Sequence, residues 1–264
     1  MKEQDILLTI GTYAKKRVEE AKKKVSLHEI KAQALSMSLE TDFPFEQALG
    51  GDDISFICEC KKASPSKGVI VPHFPYLSIA REYERAGAAC ISVLTEPKWF
   101  QGSDDYLREI AATVSIPCIR KDFVVDEYMI YQAKTLGAAA VLLICSLLDQ
   151  NTLKRYQTIC DELGLSALVE AHNEMEIVSA LQAGARIIGV NNRNLRNFTV
   201  DVHNSERLRK LVPTEVLFVA ESGIKTAADI EVLRKANVNG VLIGETLMKA
   251  ADKKKTLDEL RGTI

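Results

Sequence analysis

The chain has 264 residues, 47% of them hydrophobic and 27% charged, with a formal net charge of −2. That length fits one α/β barrel with a large core, and the composition leaves no room for a long disordered segment. A near-neutral charge gives no reason to expect nucleic acid or a membrane surface as partner, and no apolar run is long enough to span a bilayer. The chain carries six cysteines. Cys58, Cys60, Cys90, Cys118 and Cys145 lie in apolar runs that read as strands, so buried reduced thiols are favoured over disulfides. No two Cys or His show zinc-ligand spacing, and no metal site is expected. Lys2, Glu3 and Asp5 open the chain without an apolar export segment, which predicts a cytoplasmic protein.

From the N-terminus, apolar residues at Ile6, Ile10, Tyr13, Ala14, Val18, Ala21 and Val25 form the stripe of an amphipathic helix over residues 6–25. Lys15-Lys16-Arg17 and Lys22-Lys23-Lys24 interrupt it. With Glu19 and Glu20 between them, they read as a solvated face rather than an anion patch. A second helix is predicted near residues 26–39. Both precede any strand, so residues 1–50 are expected to form a helical extension over one end of a single domain spanning 1–264.

The first strand covers residues 55–61. Glu59 and Lys61 are two apart and share a face of it. They are either a structural ion pair or working groups; a buried Glu and Lys are costly unless they act, which favours the second reading. Ser64-Pro65-Ser66 adds hydroxyls and a rigid turn. The second strand, 89–95, leads into a loop with the single tryptophan, where Trp99 and Phe100 either wall an aromatic pocket or seal the loop onto the rim. The third, 116–121, ends in Lys121-Asp122-Phe123, and a lysine at such a strand end is a candidate acid or base.

The fourth strand, 139–145, is all apolar and supplies walls. The fifth, 166–170, ends in Glu170; His172 beyond it reads as an exposed polar residue rather than a partner. The sixth, 186–191, runs into Asn192-Arg193-Asn194. The seventh, from Val216, ends in Glu221-Ser222-Gly223 and opens onto a helix at Thr226. The eighth, from Gly240, ends at Gly244. Two glycine-bearing strand-to-helix turns side by side make an anion site, because glycine permits close approach and helix N-termini offer unpaired N–H groups.

Strand ends at Lys61, Thr95, Lys121, Cys145, Glu170, Asn191, Glu221 and Gly244 recur at intervals of 21 to 34 residues. Helices over 128–136, 151–163 and 174–183 fall between them, so the pattern is that of successive βα units closing an eight-stranded barrel. The ends bring together two carboxylates (Glu59, Glu170), two ammoniums (Lys61, Lys121), an amide (Asn191) and a phosphate cradle. Such a balanced mouth suits acid–base chemistry on a phosphorylated small molecule.

The motifs Glu59-Cys-Lys-Lys-Ala-Ser-Pro-Ser-Lys-Gly68, Leu94-Thr-Glu-Pro-Lys-Trp-Phe-Gln-Gly-Ser103, Lys121-Asp-Phe123, Leu142-Leu-Ile144, Gly189-Val-Asn-Asn-Arg-Asn-Leu195 and Ala220-Glu-Ser-Gly-Ile224 resemble those of the indole-3-glycerol-phosphate synthase family of tryptophan biosynthesis. The resemblance covers nearly the whole chain. It implies a (β/α)8 TIM barrel with an N-terminal helical extension, no cofactor, a small phosphorylated substrate, and a monomer or weak homo-oligomer. The implied reaction closes the indole ring of 1-(2-carboxyphenylamino)-1-deoxyribulose 5-phosphate with release of carbon dioxide and water.

Carried over by residue, the resemblance implies a catalytic set of Glu59, Lys61, Lys121, Glu170, Asn191 and Ser222. Lys121 is the general acid at the ketone. Lys61 holds the departing carboxylate or serves the dehydration. Glu170 is the base for that dehydration, and Glu59 with Asn191 orients Lys61 and the sugar hydroxyls. Ser222, Gly223, Gly244 and the Glu245 backbone N–H bind phosphate, with Ser64 nearby. Phe100, Phe123, Leu142 and Pro65 clasp the anthranilate ring, and Arg193 and Glu221 join the substrate contacts. Glu245 stands where some relatives carry serine, so its side chain is expected to turn away from the phosphate. A phosphoribosylanthranilate isomerase would carry a Cys/Asp pair instead of Glu and Lys, a fused bifunctional protein is excluded on length, and a non-catalytic phosphate-binding barrel would not need the four charged strand-end residues together.

Overall fold

Apolar runs too short for helices become strands buried on both faces, and the amphipathic segments between them become the covering helices. A computed structural model describes residues 6–193 and 199–263; Lys2, Glu3 and Asp5, and Asn194 and Leu195 at the end of their motif, lie outside the described residues. The strands are β1 (Ser55–Cys60), β2 (Cys90–Leu94), β3 (Cys118–Lys121), β4 (Ala140–Ile144), β5 (Ser166–Ala171), β6 (Ile187–Asn191), β7 (Leu217–Glu221) and β8 (Gly240–Ile243). All pair in parallel with their sequence neighbours, and β8 pairs with β1, closing a (β/α)8 barrel. A two-stranded hairpin, Ala63–Ser64 with Gly68–Val69, follows β1.

Alternation divides each strand's side chains. Ile57, Cys90, Ile119, Ala140, Leu168, Ile187, Val219 and Leu242 pack inside the barrel. Phe56, Cys58, Ile91, Val141, Val169, Ile188, Phe218 and Val241 face the helices. All six cysteines are buried free thiols, as their apolar surroundings predict. No helix among the described residues is long and apolar enough to cross a membrane.

The extension comprises α1 (Ile6–Lys24), α2 (Leu27–Leu35) and α3 (Pro44–Leu49). A capping box between Ser26 and Glu29 starts α2, which stops at Leu35, short of the predicted 39. The extension covers both ends of the barrel rather than one. Phe45 and Leu49 of α3 are fully buried in the interior cluster, and Glu46 bonds Ser166 and Arg186 at the strand starts, so α3 plugs the N-terminal end. The chain between α2 and α3 is tied to the flank where Thr41 Oγ1 donates to the Gly164 carbonyl at 2.6 Å. At the other end the first turns of α1 put Ile6, Leu7 and Ile10 against the mouth.

The solvated-face reading of the basic runs holds for Lys15, Lys16, Lys23 and Lys24, which are exposed, but not for Arg17 or Lys22. Arg17 grips buried Asp122 through two bonds of 2.6 and 3.1 Å, and Lys22 pairs with Asp126 at 2.8 Å. Neither partner is near in sequence, so local charge balance gave no sign of them. The remaining helices are α4 (Tyr76–Arg85), α5 (Asp104–Ala111), α6 (Tyr128–Thr135), α7 (Gln150–Glu162), α8 (Glu174–Gln182), α9 (His203–Arg209), α10 (Ala227–Lys235), α11 (Glu245–Lys249) and α12 (Lys253–Arg261).

Candidate active site

The C-terminal strand ends open into a cavity of about 760 Å³. Parallel register brings the chemistry to one level: Glu59 pairs with Ser92, Leu94 with Lys121, Ile144 with Glu170, Glu170 with Gly189, and Asn191 with Glu221. Glu59, Lys61, Ser64, Pro65, Phe100, Lys121, Phe123, Leu142, Glu170, Asn191, Arg193, Glu221, Ser222, Gly223, Gly244 and Glu245 all line this one cavity. The residues to which the family resemblance assigned catalytic and substrate contacts are therefore brought to it.

Lys121 is the hub. Its Nζ lies 3.1 Å from Glu221, 3.9 Å from Glu59 and 4.0 Å from Glu170. Burial opposes its charge, but those carboxylates outweigh burial and hold its pKa above the ordinary lysine value. Lys61 Nζ contacts Glu59 Oε1 at 2.6 Å, and Ser92 donates to Glu59 Oε2 at 3.3 Å. The Glu59–Lys61 spacing thus does become an ion pair facing the mouth. Burial acts to raise the Glu59 pKa, and Lys61 and Lys121 bring it below the ordinary carboxylate value.

Three carboxylates stand here, not the two collected from the sequence. Glu221 was read as a substrate contact, yet it is the nearest carboxylate to Lys121. Burial is the largest influence on it, and with Glu170 and Glu59 beside it the pKa is pushed up to about 7 despite Lys121. Carboxylates this close do not all ionise readily, and Glu221 is the one of the three whose pKa is raised. Its Oε1 has no hydrogen-bond partner among the described residues and lies where a side chain at Gly189 would be.

His172 is a correction. It is a partner of Glu170 rather than an exposed polar residue: Nε2 lies 3.3 Å from Glu170 Oε1 and Nδ1 lies 3.0 Å from Glu176. Its side chain keeps 19% of its exposure because α8 folds back over it. The signal available was the i, i+4 spacing to Glu176 at a helix start.

The two glycine turns lie side by side. Ser222 and Gly223 take φ of 66° and 85°, which glycine adopts freely and serine at a cost. Thr246 Oγ1 donates to the Ile224 carbonyl at 3.3 Å and joins the turns. One element of the sequence reading narrows: the start of α10 is partly capped by its own side chains. Asp229 accepts from the Lys225 and Thr226 N–H groups and Thr226 Oγ1 accepts from Asp229 N, so α10 caps itself. The start of α11 carries no such side-chain cap. The Glu245 side chain does turn aside, to Lys249 at 2.6 Å and Lys67 at 3.8 Å. Lys67, Lys225 and Lys249 also line this end of the cavity, as positive charge that the sequence reading did not collect.

The apolar end settles the fate of the two aromatics. Phe100 lines the cavity with its ring centroid 6.0 Å from Phe123. Trp99 packs edge-on against Tyr13 of α1 at 5.5 Å and seals the loop to the extension. Glu96 holds that loop by accepting from the N–H groups of Lys98, Trp99 and Phe100.

Residues 7–260 match a family model described as indole-3-glycerol phosphate synthase. A protein so named from Ruminiclostridium cellulolyticum is 55% identical over 258 residues, covering 98% of this chain and 99% of its own length. Another from Lachnoclostridium phytofermentans is 50% identical over 270 residues, covering 98% and 100%. Among solved structures, a thiamine phosphate pyrophosphorylase from Pyrococcus furiosus superimposes with a TM-score of 0.58 over 79% of this chain and 94% of that one, at 16% identity, a likeness of fold alone. With a match running through the barrel and most of the extension, and relatives half or more identical over nearly their whole length, the chain belongs to the indole-3-glycerol phosphate synthase family.

Proposed function

We propose that Lys121 and Glu170 divide the acid and base work of indole ring closure at this mouth. The enzyme is a carboxy-lyase of tryptophan biosynthesis. It converts 1-(2-carboxyphenylamino)-1-deoxyribulose 5-phosphate to indole-3-glycerol phosphate, carbon dioxide and water. The observation that carries the assignment is the position of Lys121, a buried ammonium among three carboxylates in the centre of the cavity.

The substrate phosphate rests on Ser222, Gly223, Gly244 and the Glu245 N–H, with Ser64 and Arg193 beside it. Its aromatic ring lies against Phe100, Phe123, Leu142 and Pro65. When the ring carbon attacks the ketone, negative charge develops on the ketone oxygen. Lys121, firmly protonated in a dry site, neutralises it by giving its proton. Loss of carbon dioxide restores the aromatic ring.

Dehydration needs one proton delivered to the departing hydroxyl and one removed from the adjoining methylene carbon. Glu170, kept ionised, removes the latter. Lys61, oriented by Glu59 beside the Lys121 cluster, delivers the former, while Asn191 and Glu221 hold the sugar hydroxyls. In total two protons are given and one is taken, so each turnover draws one proton from solvent as the substrate's carboxylate leaves as neutral gas. All these groups come from one chain, which favours a monomer or weak homo-oligomer. A phosphate ester does not leak across a membrane, which favours the cytoplasm.

The test is the pH–rate profile, followed by indole fluorescence. A bell is expected, rising as Glu170 ionises and falling as Lys121 loses its proton. Glu170→Gln should erase the acidic limb and leave low turnover. A normal acidic limb in that variant would remove Glu170 from the role and make Glu59 the first candidate.

A further inference from the structure

Glu170 sits in company that opposes its charge. It is buried, and its nearest ammonium, Lys121, is 4.0 Å away and closer to Glu221 and Glu59. A buried carboxylate sharing a cation with two others takes up a proton unless a second cation faces it. The second cation is on its outer side. The His172 ring stands between Glu170 Oε1 at 3.3 Å and Glu176 Oε2 at 3.0 Å. Glu176 also accepts from the His172 backbone N–H at 2.8 Å, and Asn204 Nδ2 donates to the His172 carbonyl at 3.3 Å, so ring and backbone are both held. The contact to Glu170 is at ion-pair distance, so a charged ring there favours the ionised carboxylate.

We propose that His172 is a positioning residue for the reaction: an imidazolium clamped by Glu176 that fixes the outer face of the Glu170 carboxylate and keeps it ionised. The proposal rests on the reading of Glu170 as the base. Burial alone would lower the His172 pKa, but Glu170 and Glu176 push it up to about 10, so the ring is charged across the neutral range. For Glu170, burial raises the pKa, while His172 and Lys121 bring it below the ordinary value. The groups facing Glu170 are Lys121 from β3, Glu221 from β7 and Asn191 from β6, with Glu59 from β1 on the far side of Lys121. Those facing His172 are Glu170, Glu176 of α8 and, at the backbone, Asn204 of α9. The Cys145 thiol nearby is pushed up to about 12 by burial first, then by Glu176 and Glu170, and adds no charge. His172 is thus the cation on the outer side of the base among the described residues.

The experiment is kcat against pH for wild type, His172→Gln, His172→Lys, Glu176→Gln and Glu170→Gln, each checked for folding by its thermal transition. Removing a cation raises the pKa of the carboxylate it faced. The acidic limb of His172→Gln should therefore move to higher pH by about one unit, seen as a roughly tenfold loss on that limb that shrinks as pH rises. His172→Lys, which keeps a cation, should bring the limb back. Glu176→Gln, which removes the clamp and keeps the ring, should move it the same way by less, and serves if His172→Gln does not fold. An acidic limb that stays in place in both His172→Gln and Glu176→Gln, or a displaced limb that His172→Lys does not bring back, overturns the proposal. Glu170→Gln separates the two readings: if it keeps the limb, the base assignment fails. If it loses the limb while neither His172→Gln nor Glu176→Gln moves it, only the His172 role fails.

Discussion

Gly189 is the space into which the Glu221 carboxylate fits. A Cβ at position 189 would stand 2.5 Å from Glu221 Oε1 and 3.2 Å from Leu168 Cδ1. Gly189 pairs with Glu170 on one side and Val219 on the other, so an added methyl would enter the floor of the mouth between the two acidic strands. Gly189→Ala should displace the group nearest to Lys121. Displacement on the order of 1 Å in a catalytic cluster costs about 100-fold, so kcat should fall by that scale while overpacking costs roughly 1–3 kcal/mol of stability. Wild-type kcat in a folded Gly189→Ala protein would show that Glu221 does not need its place.

Gly244 has a similar duty toward the other pair. A Cβ there would lie 2.5 Å from Glu59 Oε1 and 2.9 Å from Lys61 Nζ. The sequence alone placed Gly244 at the phosphate turns and nowhere near the Glu59–Lys61 pair. The structure adds a clash with the Glu59–Lys61 pair. Gly244→Asp should raise KM at least about 10-fold and lower kcat as well, because removing one part of an acid–base pair costs on the order of 100-fold. Steady-state kinetics showing a KM effect with kcat untouched would separate Gly244 from Lys61.

Arg17 carries the mouth's α1 wall. Its partner Asp122 is fully buried between Lys121 and Phe123 and also accepts from Thr95 Oγ1 at 2.6 Å. Arg17→Met leaves that carboxylate short of its main partner, at a cost of roughly 3–5 kcal/mol by analogy with other broken buried pairs. It should also raise KM as Ile6, Leu7 and Ile10 lose their anchor. Burial raises the Asp122 pKa, but Arg17 and Arg120 hold it below the ordinary 3.8. A depressed carboxylate contributes stability that is present above its unfolded value and lost as pH falls through its folded one. The gap in denaturation free energy between wild type and Arg17→Met should therefore be full at neutral pH and close below 3.8. A gap that persists in strong acid would point to packing instead.

Glu221 gives the opposite sign. Its pKa of about 7 in the folded protein exceeds the ordinary 4.5. Between those values the folded chain binds the extra proton, so stability is fully present below 4.5 and falls as pH rises through 7. Glu221→Gln removes the titration. It should be more stable than wild type above pH 7, by about 3 kcal/mol at most, and lose that advantage in acid. Denaturation curves at pH 5 and 8 decide it: an equal difference at both would mean that Glu221 does not titrate in this range.

The sequence carried the barrel well, because a strand buried on both faces is a local apolar run and its end is marked by the first polar residue. Lys61, Lys121, Glu170, Asn191 and Glu221 were legible for that reason. What escaped depends on pairs brought together across the fold. Arg17 meets Asp122, 105 positions away, so nothing in its helix distinguished it from Lys15 or Lys16. Gly189 looked like any strand glycine until register placed it under Glu221. The extension showed its stripe but not its targets, and α1 and α3 proved to close opposite ends. His172 was the near miss, since a loop histidine before a helix is usually exposed, and this one is held between Glu170 and Glu176.

The division of labour between Lys121 and Glu170 is tested most directly by rapid chemical quench with the carboxyphenylamino-deoxyribulose phosphate, comparing Lys121→Met and Glu170→Gln. Ring closure precedes dehydration. Lys121→Met should leave the substrate unconsumed, with kcat down at least about 100-fold and the thermal transition little changed. Glu170→Gln should accumulate a ring-closed, decarboxylated species that still carries its hydroxyl. The reverse pattern, with the closed hydroxylated species building up in Lys121→Met and unreacted substrate persisting in Glu170→Gln, would contradict the assignment of acid to one and base to the other.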